Sequence, residues 1–237
     1  MRLVWQTELN IERTSPFYFH GKLEYEEQVL KYCFFSPGCD VSELAFSSER
    51  GQLLYSTPEN LQLLEENRRT YDERKAPMHY VEDDFVFGDY RISHRGVWGY
   101  ACFNNNEEIW RKTLRGYLYT DMIKNGDNIV FGTAGYGGHF YSLNLESGEI
   151  LFDFNTGGTS KFFCENESYY FCSKKKKSTE IYRVDFCGNV LDVIEISGIY
   201  YDYECPIILR GNRIYVVTLR EKGRENYIPV VHCVELK

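Results

Sequence analysis

Apolar positions along this 237-residue chain come in short runs, punctuated by glycine and asparagine, rather than at the 3.6-residue spacing of a helix. The clearest stretch is Tyr117 to Gly158. Leu118 to Ile123 is a first run, closed by the turn signal Asn125-Gly126-Asp127, and Asn128 to Thr133 (NIVFGT) is a β-rich second run. Ala134 to Gly138 (AGYGG) turns the chain, His139 to Leu145 returns, Glu146-Ser147-Gly148 turns it again, and Glu149 to Phe154 goes out once more. Four short strands in 42 residues predict a meander.

The plan repeats. KFFCEN, SYYFCS, a loop at Lys174 to Lys177, EIYRVDF, the turn Cys187-Gly188-Asn189 and VLDVIEI copy it downstream. Gly188 follows Gly148 by 40 residues, and Asn106 in CFNNNEEIWRKTL takes the same place 42 residues before it, close to the period of about 40 to 45 of propeller blades. The last copy has CPIIL, RIYVVTL, a loop around Gly223 and IPVVHCVEL, and lacks a fourth strand. That strand is expected at the other end: Leu3 to Leu9 (LVWQTEL) matches Ile109 to Leu114 (IWRKTL), a fourth strand by the same register. Pairing of Met1 to Leu9 with Ile228 to Leu236 would close a ring and remove its open edges. After a connector at Asn10 to Gly21, a further blade reads KLEYEE, QVLKYCFF, the turn Ser36 to Asp40, VSELAFSS, Glu49-Arg50-Gly51 and QLLYST.

One segment breaks the pattern. Pro58 to Lys75 (PENLQLLEENRRTYDERK) reads as a short exposed helix, with Thr57 as N-cap, Pro58 at the first helical position and Glu65/Arg69 and Arg68/Asp72 four apart. The expectation is therefore an all-β fold: one domain over 1–237, a five-bladed β-propeller of four-stranded meander blades, closed by the N-terminal strand, with a helical insertion at 58–75. The blades are Lys22–Thr57, Ala76–Gly116, Tyr117–Gly158, Thr159–Gly198, and Ile199–Lys237 with Met1–Leu9.

The rhythm of LNLESGEILF and CFNNNEEIW resembles the pyrroloquinoline-quinone-like and WD40-like β-propeller repeat. The resemblance covers Ala76 to Lys237 with Met1 to Leu9, and Asn10 to Pro58 more loosely. It implies a fold and not an activity, because propellers host enzymes, ligand binders and scaffolds alike. Quinone-binding members are implied to use an adjacent Cys-Cys disulfide; this sequence has no adjacent cysteines, so no cofactor is expected.

Composition narrows the partner. A net charge of −8 disfavours a nucleic-acid surface, which needs a basic face, and favours basic protein partners or cations. MRLVWQTELNIER lacks the apolar run of a signal peptide and no stretch approaches a membrane span, so a cytoplasmic protein, monomeric when free, is expected. Its eight cysteines are then expected as free thiols. No metal site is expected: there is no C-x2-C pair, Cys33 and Cys39 flank a turn, and His232 and Cys233 point to opposite faces of a strand.

Candidate chemistry is sparse. AGYGG joins two strands instead of opening a helix, no G-x-S-x-G elbow occurs, and the lysines at 174 to 177 read as a solvated hairpin tip. Five-bladed furanosidases and related glycosidases carry carboxylates at a central funnel; Glu24, Asp121, Asp202 and Glu204 are the candidates here, and two would have to share one pocket. What remains is a binding face. The helix, the loops 36–40, 89–96, 134–138, 174–178 and 220–226, and the connector from Gly198 should crowd one side. Tyr200, Tyr201, Asp202, Tyr203 and Glu204 are the candidate partner-binding residues, combining aromatic contact area with carboxylates; the competing reading is strand-leading tyrosines packed between blades. Two functions follow: a non-catalytic protein-binding propeller, such as a cytosolic inhibitor or immunity protein neutralising a basic toxin or nuclease, or a carbohydrate-active or small-ligand enzyme with its site in the funnel. The first, without catalysis, is favoured.

Overall fold

A computed structural model describes residues 1–9, 20–35, 41–58, 83–96, 98–118, 120–134, 137–158, 161–200, 207–223 and 226–236. Every regular element among the described residues is a β-strand, and the strands form five antiparallel sheets. β2 (His20–Glu26), β3 (Val29–Phe35), β4 (Val41–Ser47) and β5 (Leu53–Pro58) pair in chain order, as do β6 (Asp83–Phe87), β7 (Tyr90–Arg95), β8 (Gly99–Asn104) and β9 (Glu107–Thr113). In the third sheet β10 (Tyr117–Leu118) and β11 (Ile123–Asn125) both pair with β12 (Asn128–Ala134), followed by β13 (His139–Asn144) and β14 (Ile150–Asn155). β15 (Phe163–Glu165), β16 (Ser168–Lys174), β17 (Ser178–Asp185) and β18 (Val190–Ser197) make the fourth.

The fifth sheet joins the two ends of the chain. Its order is β1 (Arg2–Glu8), β21 (Tyr227–Glu235), β20 (Arg213–Glu221), β19 (Ile207–Arg210). β1 runs antiparallel to β21, from Arg2 opposite Glu235 to Glu8 opposite Val230, with a bulge between Leu3 and Trp5. Leu9 N–H then donates to Pro229 O at 2.9 Å. The missing fourth strand is supplied by the N-terminal segment, as its likeness to β9 predicts.

The chain divides into two compact units: Met1–Ala76 with Lys175–Ile181 and Val193–Lys237, and Pro77–Lys174 with Tyr182–Asp192. In the first, Leu23, Leu30, Tyr32 and Phe46 pack with Tyr215, Val217, Val231 and Cys233. Among the described residues of the second, Tyr100, Trp110, Phe131, Tyr141 and neighbours form one cluster, and Phe140, Phe152, Tyr169, Phe171 and Val184 another.

Within each unit one contact repeats and explains the spacing of the glycines. Trp5 on β1 lies over Gly51, Trp110 on β9 over Gly148, and Phe152 on β14 over Gly188, so a fourth-strand aromatic of one sheet covers the last turn of another. Both indoles close the contact alike: Trp5 Nε1–H donates to Ser48 O at 3.1 Å and Trp110 Nε1–H to Leu145 O at 2.9 Å, in each case three residues before the glycine. Gly148 has φ +67°, and a Cβ there would sit 2.7 Å from the Trp110 ring. The position therefore demands glycine twice, for its left-handed backbone and for the ring above it.

Two expectations need correction. Residues 89–96 are not a loop: Tyr90–Arg95 is strand β7, with Ile92, Ser93 and His94 buried, and the turn follows at Gly96. The helix expected from Pro58 does not begin there, because Pro58 ends β5 opposite Val41. β5 is an edge strand, where a residue without N–H is tolerated. Residues 59–75 of that expected insertion lie outside the described residues.

Candidate functional site

The connector singled out for partner binding is pinned at its start. Thr218 Oγ1 donates to Ser197 O at 2.8 Å, and Ile199 and Leu219 exchange both backbone hydrogen bonds at 2.8 and 2.9 Å. Thr179 Oγ1 donates to Gly198 O at 2.9 Å and accepts from Tyr200 N–H at 2.8 Å. Tyr200 is 2 % exposed, so its ring is buried, a correction to its reading as exposed contact area. Tyr201, Asp202, Tyr203 and Glu204 lie outside the described residues.

A cleft of about 520 Å³ is lined, among the described residues, by Thr120, Asp121, Ile123, Lys161, Phe162 and Cys164, on or just before β11 and β15. Thr120 fixes one wall: its Oγ1 accepts from Gly132 N–H at 2.7 Å and donates to Asp121 O at 3.0 Å. The side chains offered are one hydroxyl, one carboxylate, one ammonium, one thiol and two apolar groups. Glu24, the other described glycosidase candidate, pairs on β2 with Lys22 Nζ at 2.7 Å and is 44 % exposed. Of the lysine run, Lys175 pairs with Glu180 at 2.9 Å, and Lys176 and Lys177 are exposed at the hairpin tip.

Sequence reasoning missed a second concavity, because it falls on the strand read as a loop. Alternation along β7, β8 and β9 sends Ile92, Tyr100, Cys102 and Trp110 into the core and the intervening residues to the opposite face. There Arg95 lies opposite Gly99 and Gly99 opposite Thr113; Ser93 lies opposite Ala101 and Ala101 opposite Arg111; Arg91 lies opposite Phe103. The small residues of the central strand leave a trough of about 370 Å³ between arginine-bearing walls. Asp84 on β6 buttresses one wall: Oδ1 accepts from Ser93 Oγ at 2.5 Å and Arg95 Nη2 at 2.8 Å, and Oδ2 from Arg91 Nη1 at 3.1 Å. The Ser93 hydrogen bond, then those of Arg95 and Arg91, hold the Asp84 carboxyl below the usual range. Arg91 also stacks on Phe103, 4.2 Å from the ring centroid. On the far wall Arg111 forks onto Glu108, at 3.1 and 2.6 Å. The period-two signal Arg91, Ser93, Arg95 was legible, but its polar residues hid the strand.

Cys33, Cys102, Cys172 and Cys233 are buried and Cys164 and Cys187 exposed, all six as free thiols; Cys39 and Cys205 lie outside the described residues. Burial, aided by Glu43, pushes the Cys33 thiol up to about 12, and burial takes Cys102 and Cys233 to about 11, which is the reverse of an activated nucleophile. Among the described residues no group of three or more His, Cys, Asp or Glu side chains is placed to hold a metal. No helix of the described residues is long and apolar enough to cross a membrane.

No family model matches the chain, and no curated protein matches it. Solved structures do. BamB from Moraxella catarrhalis aligns over 96% of this chain and 62% of its own at 13% identity, TM-score 0.43. Saccharomyces cerevisiae Sqt1 aligns over 99% and 60% at 10% identity, TM-score 0.43, and the computationally designed Ika4 protein over 68% and 95% at 9% identity, TM-score 0.42. The chain thus spans about three fifths of the length of BamB and of Sqt1. The strand order and registers above, rather than these likenesses, carry the all-β meander architecture.

Proposed function

We propose that the five sheets are the blades of one β-propeller closed by β1, and that the chain is a non-catalytic platform for a basic protein partner. The shared sheet of β1 and β19–β21 supports closure, since the N-terminal strand occupies the place that every other sheet fills from its own segment. The net charge of −8 supports the choice of partner most directly, because complementary charge steers a basic protein into encounter. Against funnel chemistry stands the cleft at β11 and β15, whose described lining holds a single carboxylate, Asp121, with Lys161 also on its wall. Glycoside hydrolysis takes two carboxyls facing one pocket at roughly 5–10 Å.

In its sharpest form the platform is a cytoplasmic inhibitor or immunity protein, monomeric when free, that holds a basic toxin or nuclease inactive. Its contacts are Tyr201, Asp202, Tyr203 and Glu204, which follow Tyr200 in the chain. The test is capture from the source cell's extract by immobilised protein at low and at high salt, with an Asp202→Lys, Glu204→Lys double variant alongside. A basic protein held at 50 mM salt, released at 500 mM and lost by the variant is expected, as screening shortens electrostatic reach to about 3–10 Å over about 0.1–1 M salt. Retention by the variant equal to that of the parent, or an acidic captured protein, would overturn the proposal.

A further inference from the structure

We propose that the cleft at β11 and β15 binds a small zwitterion with an apolar side chain, the chemistry of a free amino acid. Its two charged lining residues have opposite sign: Asp121, just before β11 of the third sheet, and Lys161, just before β15 of the fourth. Both are exposed, and among the described residues neither forms an ion pair, with the other or with a third group. Apolar contact is offered beside them. Ile123 and Phe162 are half-buried and pack against the cluster of Phe140, Phe152, Tyr169 and Phe171. The Phe162 ring lies 5.1 Å from that of Phe140 and 6.3 Å from that of Tyr169, centroid to centroid, which fixes it as a wall.

The cleft is held in shape by contacts of its own. Asn125 Nδ2, at the end of β11, donates to Tyr169 Oη on β16 at 2.5 Å, joining the third sheet to the fourth. Thr120 fixes the chain at Asp121: its Oγ1 bonds to Asp121 O and Gly132 N–H, and its own N–H donates to Gly132 O at 3.3 Å. Walls ordered in advance spare a ligand that cost. Cleft and clamp fall within the unit Pro77–Lys174, so the inference does not depend on closure of a ring. Other ligands use this set less well. One carboxylate is too few for calcium, which takes six to eight oxygens, and one ammonium makes a poor phosphate site. A zwitterion engages both charges together, its carboxylate on Lys161 Nζ and its ammonium on the Asp121 carboxylate, with its side chain over Ile123 and Phe162. The volume of about 520 Å³ is within the range of ligand pockets, roughly 300–1,000 Å³.

Ligand-observed NMR titration of the whole chain with L-phenylalanine, phenethylamine and 3-phenylpropanoate tests this, since the last two keep the ring and one charge each. L-Phenylalanine is expected to bind at least threefold more tightly than either, a modest factor because the paired groups stay hydrated. Lys161→Met should erase the advantage over phenethylamine and keep that over 3-phenylpropanoate; Asp121→Asn should do the reverse. A general loss of structure would remove both preferences together, so the crossed pattern separates binding from folding. Saturating L-phenylalanine should also slow alkylation of Cys164, which lines the cleft, and leave that of Cys187 unchanged. No saturation at tens of millimolar L-phenylalanine, equal binding of the three compounds, variants that retain both preferences, or undiminished labelling of Cys164 would each overturn the assignment.

Discussion

Replacing Gly148 by alanine is expected to cost about 2–4 kcal/mol, far more than a surface substitution. Two terms contribute. Gly148 has φ +67°, and an L-residue held there costs roughly 1–2 kcal/mol. The new methyl group would also stand 2.7 Å from Cδ2 and 2.8 Å from Cγ of Trp110, with Lys112 Cε at 3.1 Å. Trp110 is only 9% exposed and its Nε1–H is committed to Leu145 O at 2.9 Å. Retreat of the ring thus gives up a hydrogen bond worth about 0.5–1.5 kcal/mol as well as some packing. Gly126 is the control: its φ is +60° and nothing lies within 4 Å of the added Cβ, so Gly126→Ala carries the backbone term alone. Urea unfolding followed by tryptophan fluorescence reads both, and a Trp110→Ala cycle isolates the contact. Trp110→Ala alone should cost about 3–5 kcal/mol, and the double variant should fall short of the sum by on the order of 1 kcal/mol, since the methyl group then meets no ring. Equal losses for Gly148→Ala and Gly126→Ala, or strict additivity in the cycle, would refute the aromatic-on-glycine account.

Other outcomes follow from burial. A thiol reagent at pH 8 should modify Cys164 and Cys187 promptly in the native protein and Cys33, Cys102, Cys172 and Cys233 only on unfolding, as mass mapping of labelled peptides would show; prompt labelling of Cys33 would contradict its burial. His232 is fully buried with Nε2 2.8 Å from Thr218 Oγ1, and burial lowers its pKa from 6.5 to about 4. Between those values the unfolded chain binds a proton that the folded chain refuses, so stability should be lost as pH falls from about 6.5 to 4 and be flat above. Urea midpoints across that range should show the slope reduced in His232→Gln; an unchanged slope would assign the acid sensitivity elsewhere.

Much of the architecture was legible in the sequence because its punctuation is physically forced. Gly148 and Gly188 recur at the blade period since each must turn left-handed beneath an aromatic ring. Trp5 announced its strand by matching Trp110, and the two share an indole hydrogen bond in kind and distance. Strand β7 was hidden because YRISHR devotes one face to arginines that Asp84 neutralises in three dimensions, a compensation invisible along the chain. Thr57-Pro58 has the grammar of a helix start, but an edge strand tolerates the same proline, and pairing with Val41 decides it. Tyr200 illustrates the limit for sites: a tyrosine-rich string reads as contact surface, whereas its first ring is buried and its backbone N–H is held by Thr179.

The central claim is that the first strand completes the sheet of β19–β21, and a circular permutation tests it most directly. Residues 1–9 are removed from the front and attached after Lys237 through a short Gly/Ser turn, which the pairing of Arg2 with Glu235 makes a simple hairpin. The account predicts that the permuted chain melts within a few degrees of the parent, while a chain lacking residues 1–9 is severely destabilised through loss of the β1 ladder and of Trp5 over Gly51. A permuted chain no more stable than the truncated one would contradict it.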